Sequence, residues 1–155
     1  MFRVSLGLLA SLFAGVAVAA PGDPNPPRLN SKDVLAGQRW VEAHVAMDNW
    51  LFVGGGDRQF WFVSALPNAA TNYPIVRDWV RWEVAEDEPG SRSSLMEVEV
   101  DCEKSRARVL EAYSYRQNNL RGPCYVAEIP PEKWEPAARG AIRETFVQAI
   151  CRGAR

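Results

Sequence analysis

The amino-acid sequence predicts an α+β fold, an antiparallel sheet covered by a C-terminal amphipathic helix. Two observations carry this. Period-two alternation, rich in β-branched and aromatic residues, recurs in short runs between Trp40 and Leu110. From about Ala138 the period changes to 3.6, with Ile142, Phe146, Ala149 and Ile150 on one face and Arg143, Glu144 and Gln148 elsewhere. A helix with one apolar stripe needs a sheet to cover.

The N-terminus comes first. Met1-Phe2-Arg3 supplies a short positive start, Val4 to Val18 is apolar or small, and Ala17-Val18-Ala19 places small residues at −3 and −1 of a cleavage site. This is the pattern of a secretory signal peptide spanning residues 1–19. The apolar run of about 15 residues is shorter than the roughly 20 needed to span a bilayer. The expected product is exported, periplasmic or secreted, and carries no membrane anchor in the mature chain. Pro21, Pro24, Pro26 and Pro27 then mark residues 20–36 as an extended tether. Residues 37–155 are expected to form a single domain.

Within that domain, Val41, Ala43, Val45 and Met47 alternate with Trp40, Glu42 and His44, which predicts a strand. Gly54-Gly55-Gly56-Asp57 separates the runs Trp50 to Val53 and Gln59 to Val63, which predicts a hairpin closed by a glycine loop. Val80, Trp82 and Val84 alternate with Trp79, Arg81 and Glu83, and Glu86 to Ser94 reads as a polar loop. In Leu95 to Cys102, Met96, Val98, Val100 and Cys102 share one face, while Glu97, Glu99 and Asp101 share the other. A turn at Glu103-Lys104 sets Asp101 against Arg106, Val100 against Ala107, Glu99 against Arg108 and Val98 against Val109. Charges then meet on a wet face and apolar groups on a dry one, whereas a one-residue slip would bury the arginines. After Leu110 the parity blurs, and a bulge is expected there. Residues 130–136 form a loop around Trp134.

Three cysteines in an exported chain allow one disulfide and leave one thiol. Cys102 ends the core-facing row and Cys151 lies beside Val147 in the last helical turn, so a 102–151 bridge staples helix to sheet. Closing a loop of about 50 residues contributes roughly 4 kcal/mol by chain entropy. Cys124 follows Gly122-Pro123 in a turn-like stretch, a poorer place for a core bridge.

Composition narrows the function. Without Arg3 the chain has 17 basic against 19 acidic residues, a net charge of about −2, which argues against a nucleic-acid partner. Gly54-Gly55-Gly56 lacks the Lys and Ser/Thr of a phosphate loop, no CxxC pair is present, and no ligands have metal spacing, so no cofactor or metal is expected. Glu97, Glu99 and Asp101 face arginines and read as a solvated salt ladder rather than a calcium site. His44 is the only histidine. A small extracytoplasmic hydrolase built on it would need a carboxylate or hydroxyl brought within hydrogen-bond reach by the fold. Trp50, Phe52, Phe60, Trp61 and Phe62 put aromatic rings on both faces of the first hairpin. One helix covers one sheet face, so these rings are expected to supply an interaction surface for a protein partner or for self-association.

The order of features also resembles a family. A strand ending "EVEVDC" is followed by a strand with Arg106 and Arg108, an aromatic stretch with Tyr113 and Tyr115, Trp134 in a proline-rich loop, and a helix ending "VQAIC". This is similar to the surface-adhesin protein E-like family of small exported bacterial proteins, over roughly Trp40 to Cys151. The resemblance implies a twisted antiparallel sheet with a long C-terminal helix, no enzymatic activity, and binding to host extracellular proteins. It supplies no short binding motif.

Overall fold

A computed structural model of the chain describes residues 21–56, 58–66, 73–86, 90–129 and 133–154. The expected signal peptide, residues 1–19, lies outside the described residues, as do parts of the loops at 86–94 and 130–136. Helix α1 (Val34–His44) is followed by strands β1 (Trp50–Gly56), β2 (Gln59–Ser64), β3 (Ile75–Val84), β4 (Ser93–Asp101), β5 (Arg106–Tyr115), β6 (Cys124–Val126) and β7 (Glu135–Pro136), then helix α2 (Ile142–Gly153). The strands form one antiparallel sheet in the order β1 to β6, with β7 on β5.

The β4–β5 hairpin has the register read from its charges. Asp101 pairs with Arg106, Val100 with Ala107, Glu99 with Arg108 and Val98 with Val109, and the register shifts between Glu97 and Val98, opposite Leu110. The first hairpin also forms, but the glycines are not its loop. Gly54, Gly55 and Gly56 pair with Trp61, Phe60 and Gln59 inside the ladder, and the chain turns beyond them at Arg58, whose φ is 66°. The reason for Gly55 is steric, since a Cβ there would lie 2.5 Å from the Gln59 carbonyl and 2.6 Å from the Phe60 ring.

Helix α2 covers one face of the sheet. Phe146, Val147 and Ile150 pack on Val63, Val76, Val80, Val98, Val100 and Ala107 to make the larger core. Cys102 and Cys151 are bonded across that interface with their Cα atoms 5.7 Å apart, and Cys124 is free and exposed.

The segment read as a strand at 40–47 is helical up to His44. Asp33 caps α1 by accepting the Leu35 N–H at 3.1 Å, which is a common N-cap arrangement. The buried side of α1 is Gly37, Trp40, Val41 and His44, a spacing of three and four residues that only the helix satisfies. Gly37 is required by close packing, because a Cβ there would sit 2.9 Å from the Phe60 ring. Trp40 stacks on Phe60 at 5.4 Å, and the two join Val41, Val45, Phe62 and Ala85 in a second core on the opposite sheet face.

Of residues 20–36, expected as an extended tether, residues 21–33 run along this second core and Val34 to Ala36 begin α1. Gly22 N–H donates to the His44 carbonyl at 3.1 Å and Leu29 N–H to Ala85 at 2.9 Å, while Pro24 and Pro27 carbonyls accept from Asn118 N–H and the Trp40 indole. At the base of the second core lies a buried polar group. Arg81 donates to Glu83, to the Ala46 carbonyl and to Asn119 Oδ1, each at 2.8 Å, and Asn118 Nδ2 donates to Glu83 at 2.7 Å. Arg81 and Glu83 are 2 % and 0 % exposed, so their mutual pairing offsets a large desolvation cost.

Candidate functional site

The aromatic hairpin is divided by the fold rather than displayed by it. Phe60 and Phe62 are 4 % and 0 % exposed beneath α1, so the expectation that they form an outward surface is corrected. The physical cause is α1, which covers the sheet face that a single C-terminal helix would have left open. Trp61 is half-buried on the α2 side and meets Trp82 at 6.0 Å. Trp50 is half-buried on the α1 side under the Arg81 guanidinium, 5.7 Å from its ring centroid. Of the five rings, Phe52 alone counts as exposed.

What remains open is the margin of the sheet at β1. This is a terminal strand with no strand on its outer side among the described residues, and such an edge presents unpaired N–H and C=O groups. Successive side chains point to opposite faces, so Leu51 and Phe52 flank the edge on its two sides. Leu51 is 55 % exposed, and Leu66, beyond the end of β2, is 59 % exposed. Phe52 shares a shallow cleft of about 190 Å³ with Val34 and Gly37 of α1. Leu51 and Leu66 share a larger one, about 350 Å³, with Val63, Asp78, Ala149, Ile150, Gly153 and Ala154.

Asp78 is the unusual member of that larger cleft. It falls on the α2 face of β3, on the parity of the core residues Val76 and Val80. The residue is 9 % exposed, and among the described residues its carboxylate accepts one hydrogen bond, from the Trp79 N–H at 2.7 Å. Burial pushes its pKa up from 3.8 to about 6, against the opposing pull of that N–H.

Beyond the reach of α1, the face of β3 to β5 that points away from α2 carries the expected ladder. Arg77 and Arg108 bond the two Glu99 oxygens at 3.0 and 2.7 Å, and Arg106 bonds Asp101 at 3.0 Å. Burial acts to raise the Glu99 pKa, but the hydrogen bonds of Arg77 and Arg108 hold it below the ordinary range. Asp101 behaves alike, held low by Lys104 N–H and Arg106 against its burial. Trp134 closes the ladder, with the Arg106 and Arg108 guanidiniums 4.6 and 4.9 Å from its ring centroid. This face neutralises itself. A groove of about 340 Å³ follows the other side of β5, with Val98, Val109, Ile142 and Phe146 inside and Lys133, Glu135 and Arg143 at its mouth.

Residues 50–152 match the family model for surface-adhesin protein E. That span runs from the first residue of β1 into the last turn of α2. The chain belongs to the surface-adhesin protein E family. A crystal structure of Haemophilus influenzae protein E is similar in fold, with a TM-score of 0.55 and 11 % identity over 69 % of this chain and 90 % of that one. No curated protein matches the chain. The family match thus contains the sheet, nearly all of the covering helix, the disulfide and Asp78 itself, while α1, the segment before it and the Gly153–Ala154 part of the Asp78 cleft lie outside.

His44 also lies outside the family match. It ends α1, 7 % exposed, edge-on to Trp40 at 5.5 Å, and among the described residues its Nδ1 has no hydrogen-bond partner. Among the described residues nothing joins its ring to a carboxylate or hydroxyl, which is the contact that a hydrolase built on it needs. No group of three or more His, Cys, Asp or Glu side chains among them is placed to hold a metal ion.

Proposed function

We propose that this is an exported, non-enzymatic, adhesin-like protein that binds a protein partner along the open margin of its sheet at β1. Family membership supports the adhesin-like class. The apolar N-terminal segment, the small residues at 17–19 and the disulfide support export. The observation that carries the binding surface is the exposure of Leu51, Phe52 and Leu66 around a terminal strand, because grouped exposed apolar side chains mark interaction sites. The binding mode that suits this geometry is strand addition. An extended segment of the partner pairs with the backbone of β1 and sets its side chains into the clefts on either side.

Immobilised host extracellular-matrix proteins, probed with the protein and with Leu51→Asp and Phe52→Asp variants, test this. Both variants keep the native circular dichroism and lose at least tenfold in binding. Full binding by the folded variants overturns the placement at β1, and no binding by the parent protein to any extracellular protein overturns the adhesin-like reading.

A further inference from the structure

The Asp78 cleft has a chemistry that strand addition does not require. It is walled by aliphatic side chains, Leu51, Val63 and Ile150 among them, and ends on a carboxylate. One oxygen of that carboxylate is taken by the Trp79 N–H, and no cation bonds the other among the described residues. Arg77 also borders the cleft, but its guanidinium is held by Glu99 and Glu97 on the ladder face. Gly153 and Ala154, at the carbonyl end of α2, also line the cleft. The last carbonyls of a helix lack helical partners and carry the negative end of its dipole. An ionised carboxylate set against that end, out of water, is doubly disfavoured unless a positive charge arrives.

We propose that this cleft binds the side chain of a lysine presented by the protein partner, with the ammonium on Asp78 and the helix-end carbonyls and the methylene stem along the aliphatic walls. This deepens the reading of the chain as a protein-binding domain and rests on it. Lysine fits better than arginine. With one carboxylate oxygen already engaged, Asp78 offers a single-point contact, which suits an ammonium, whereas a guanidinium is best matched by two parallel oxygens. Leu51 and Leu66 at the rim are exposed and cover the stem as it enters. The pKa of about 6 supports the same conclusion, since a site short of counter-charge is where a cation stabilises the ionised form. Arg77 is the other charged group on the described lining of the cleft, so protonation of Asp78 should govern the pH dependence.

The probe is Nα-acetyl-lysine amide, with Nα-acetyl-norleucine amide as a control that keeps the stem and lacks the ammonium. Nuclear magnetic resonance of the labelled protein follows the Asp78 carboxyl carbon and the amides of Leu51, Leu66 and Ala154. The expected result is a saturable shift at these positions with the lysine probe at pH 7.5. The Asp78 midpoint falls by at least half a unit, affinity drops at least fivefold at pH 5, and the response is lost in Asp78→Asn. An equal response to the norleucine probe, or an unchanged response in Asp78→Asn, overturns the assignment. The probe needs no partner, so the two ideas fail separately. A cleft that binds the probe survives a failed search for extracellular partners, and a partner whose binding ignores Asp78→Asn leaves the β1 surface without the lysine pocket.

Discussion

Asp78 and Glu83 are carboxyl groups of one strand, withdrawn from water on opposite faces of it. Burial raises the pKa of both. Glu83 is met by Arg81, Asn118 and the Asn119 N–H, so its cost is offset by a full set of partners. Among the described residues Asp78 has one donor, the neutral Trp79 N–H. Because the folded protein holds a proton on Asp78 more tightly than the unfolded chain does, stability is highest below pH 4 as far as this group is concerned. It falls as pH rises through about 6. A shift of this size corresponds to a ceiling of about 3 kcal/mol, and about 1–2 kcal/mol is expected because the cleft is open to solvent. Asp78→Asn keeps the shape and removes the charge. Urea unfolding should show the variant more stable than the parent at pH 7.5, with the difference closing between pH 6 and pH 4. A variant less stable at pH 7.5 would mean that a partner already compensates the carboxylate.

At the scale of elements, α2 and the β4–β5 hairpin depend on one another through the Cys102–Cys151 bond. The bond closes a sequence separation of 49 residues, for which chain entropy gives roughly 4 kcal/mol. Replacing both cysteines with Ala should lower the stability by about 2–4 kcal/mol. Hydrogen exchange in α2 should quicken more than in β3 and β4, since the helix then holds the sheet through non-covalent packing, chiefly of Phe146, Val147 and Ile150. Equal acceleration throughout would show that α2 and the sheet open only together. These elements were legible in the sequence for a physical reason. From Glu97 to Asp101 in β4 and from Arg106 to Val109 in β5, outward positions are charged and inward ones apolar, so one register satisfies both faces, and in α2 the stripe is made of large aliphatic and aromatic residues. Helix α1 was not legible, because its buried stripe includes Gly37 and His44, neither of which registers as apolar. Val41, Ala43, Val45 and Met47 meanwhile imitate a strand. That error led to the next, since the burial of Phe60 and Phe62 follows from α1. Asp78 left a weak signal, its parity with Val76 and Val80, but a lone acid between Arg77 and Trp79 reads as solvated until the strand is placed in its sheet.

At the scale of the whole molecule, the sheet is held from both sides by unlike means. A disulfide and an aliphatic core fix α2 on one face, and on the other α1 is fixed by aromatic stacking, a buried ion pair and residues 21–33. Those residues supply the carbonyls of Asp23, Pro24 and Pro27, which accept from Asn119, Asn118 and Trp40, and the N–H groups of Gly22 and Leu29, which donate to His44 and Ala85. Each hydrogen bond contributes about 0.5–1.5 kcal/mol net, and an orphaned buried partner costs more. A protein beginning at Ser31 should therefore lose about 3–5 kcal/mol of unfolding free energy in urea. The loss should concentrate on α1 and the 116–120 turn, where exchange of the Asn118 and Asn119 amides becomes fast. The disulfide, the α2 core and the response of Asp78 to the lysine probe should persist, because they lie across the sheet. An unchanged midpoint for the shortened protein would show that residues 21–30 are a passive leader to the domain, and that the Arg81–Glu83 pair is closed by α1 alone.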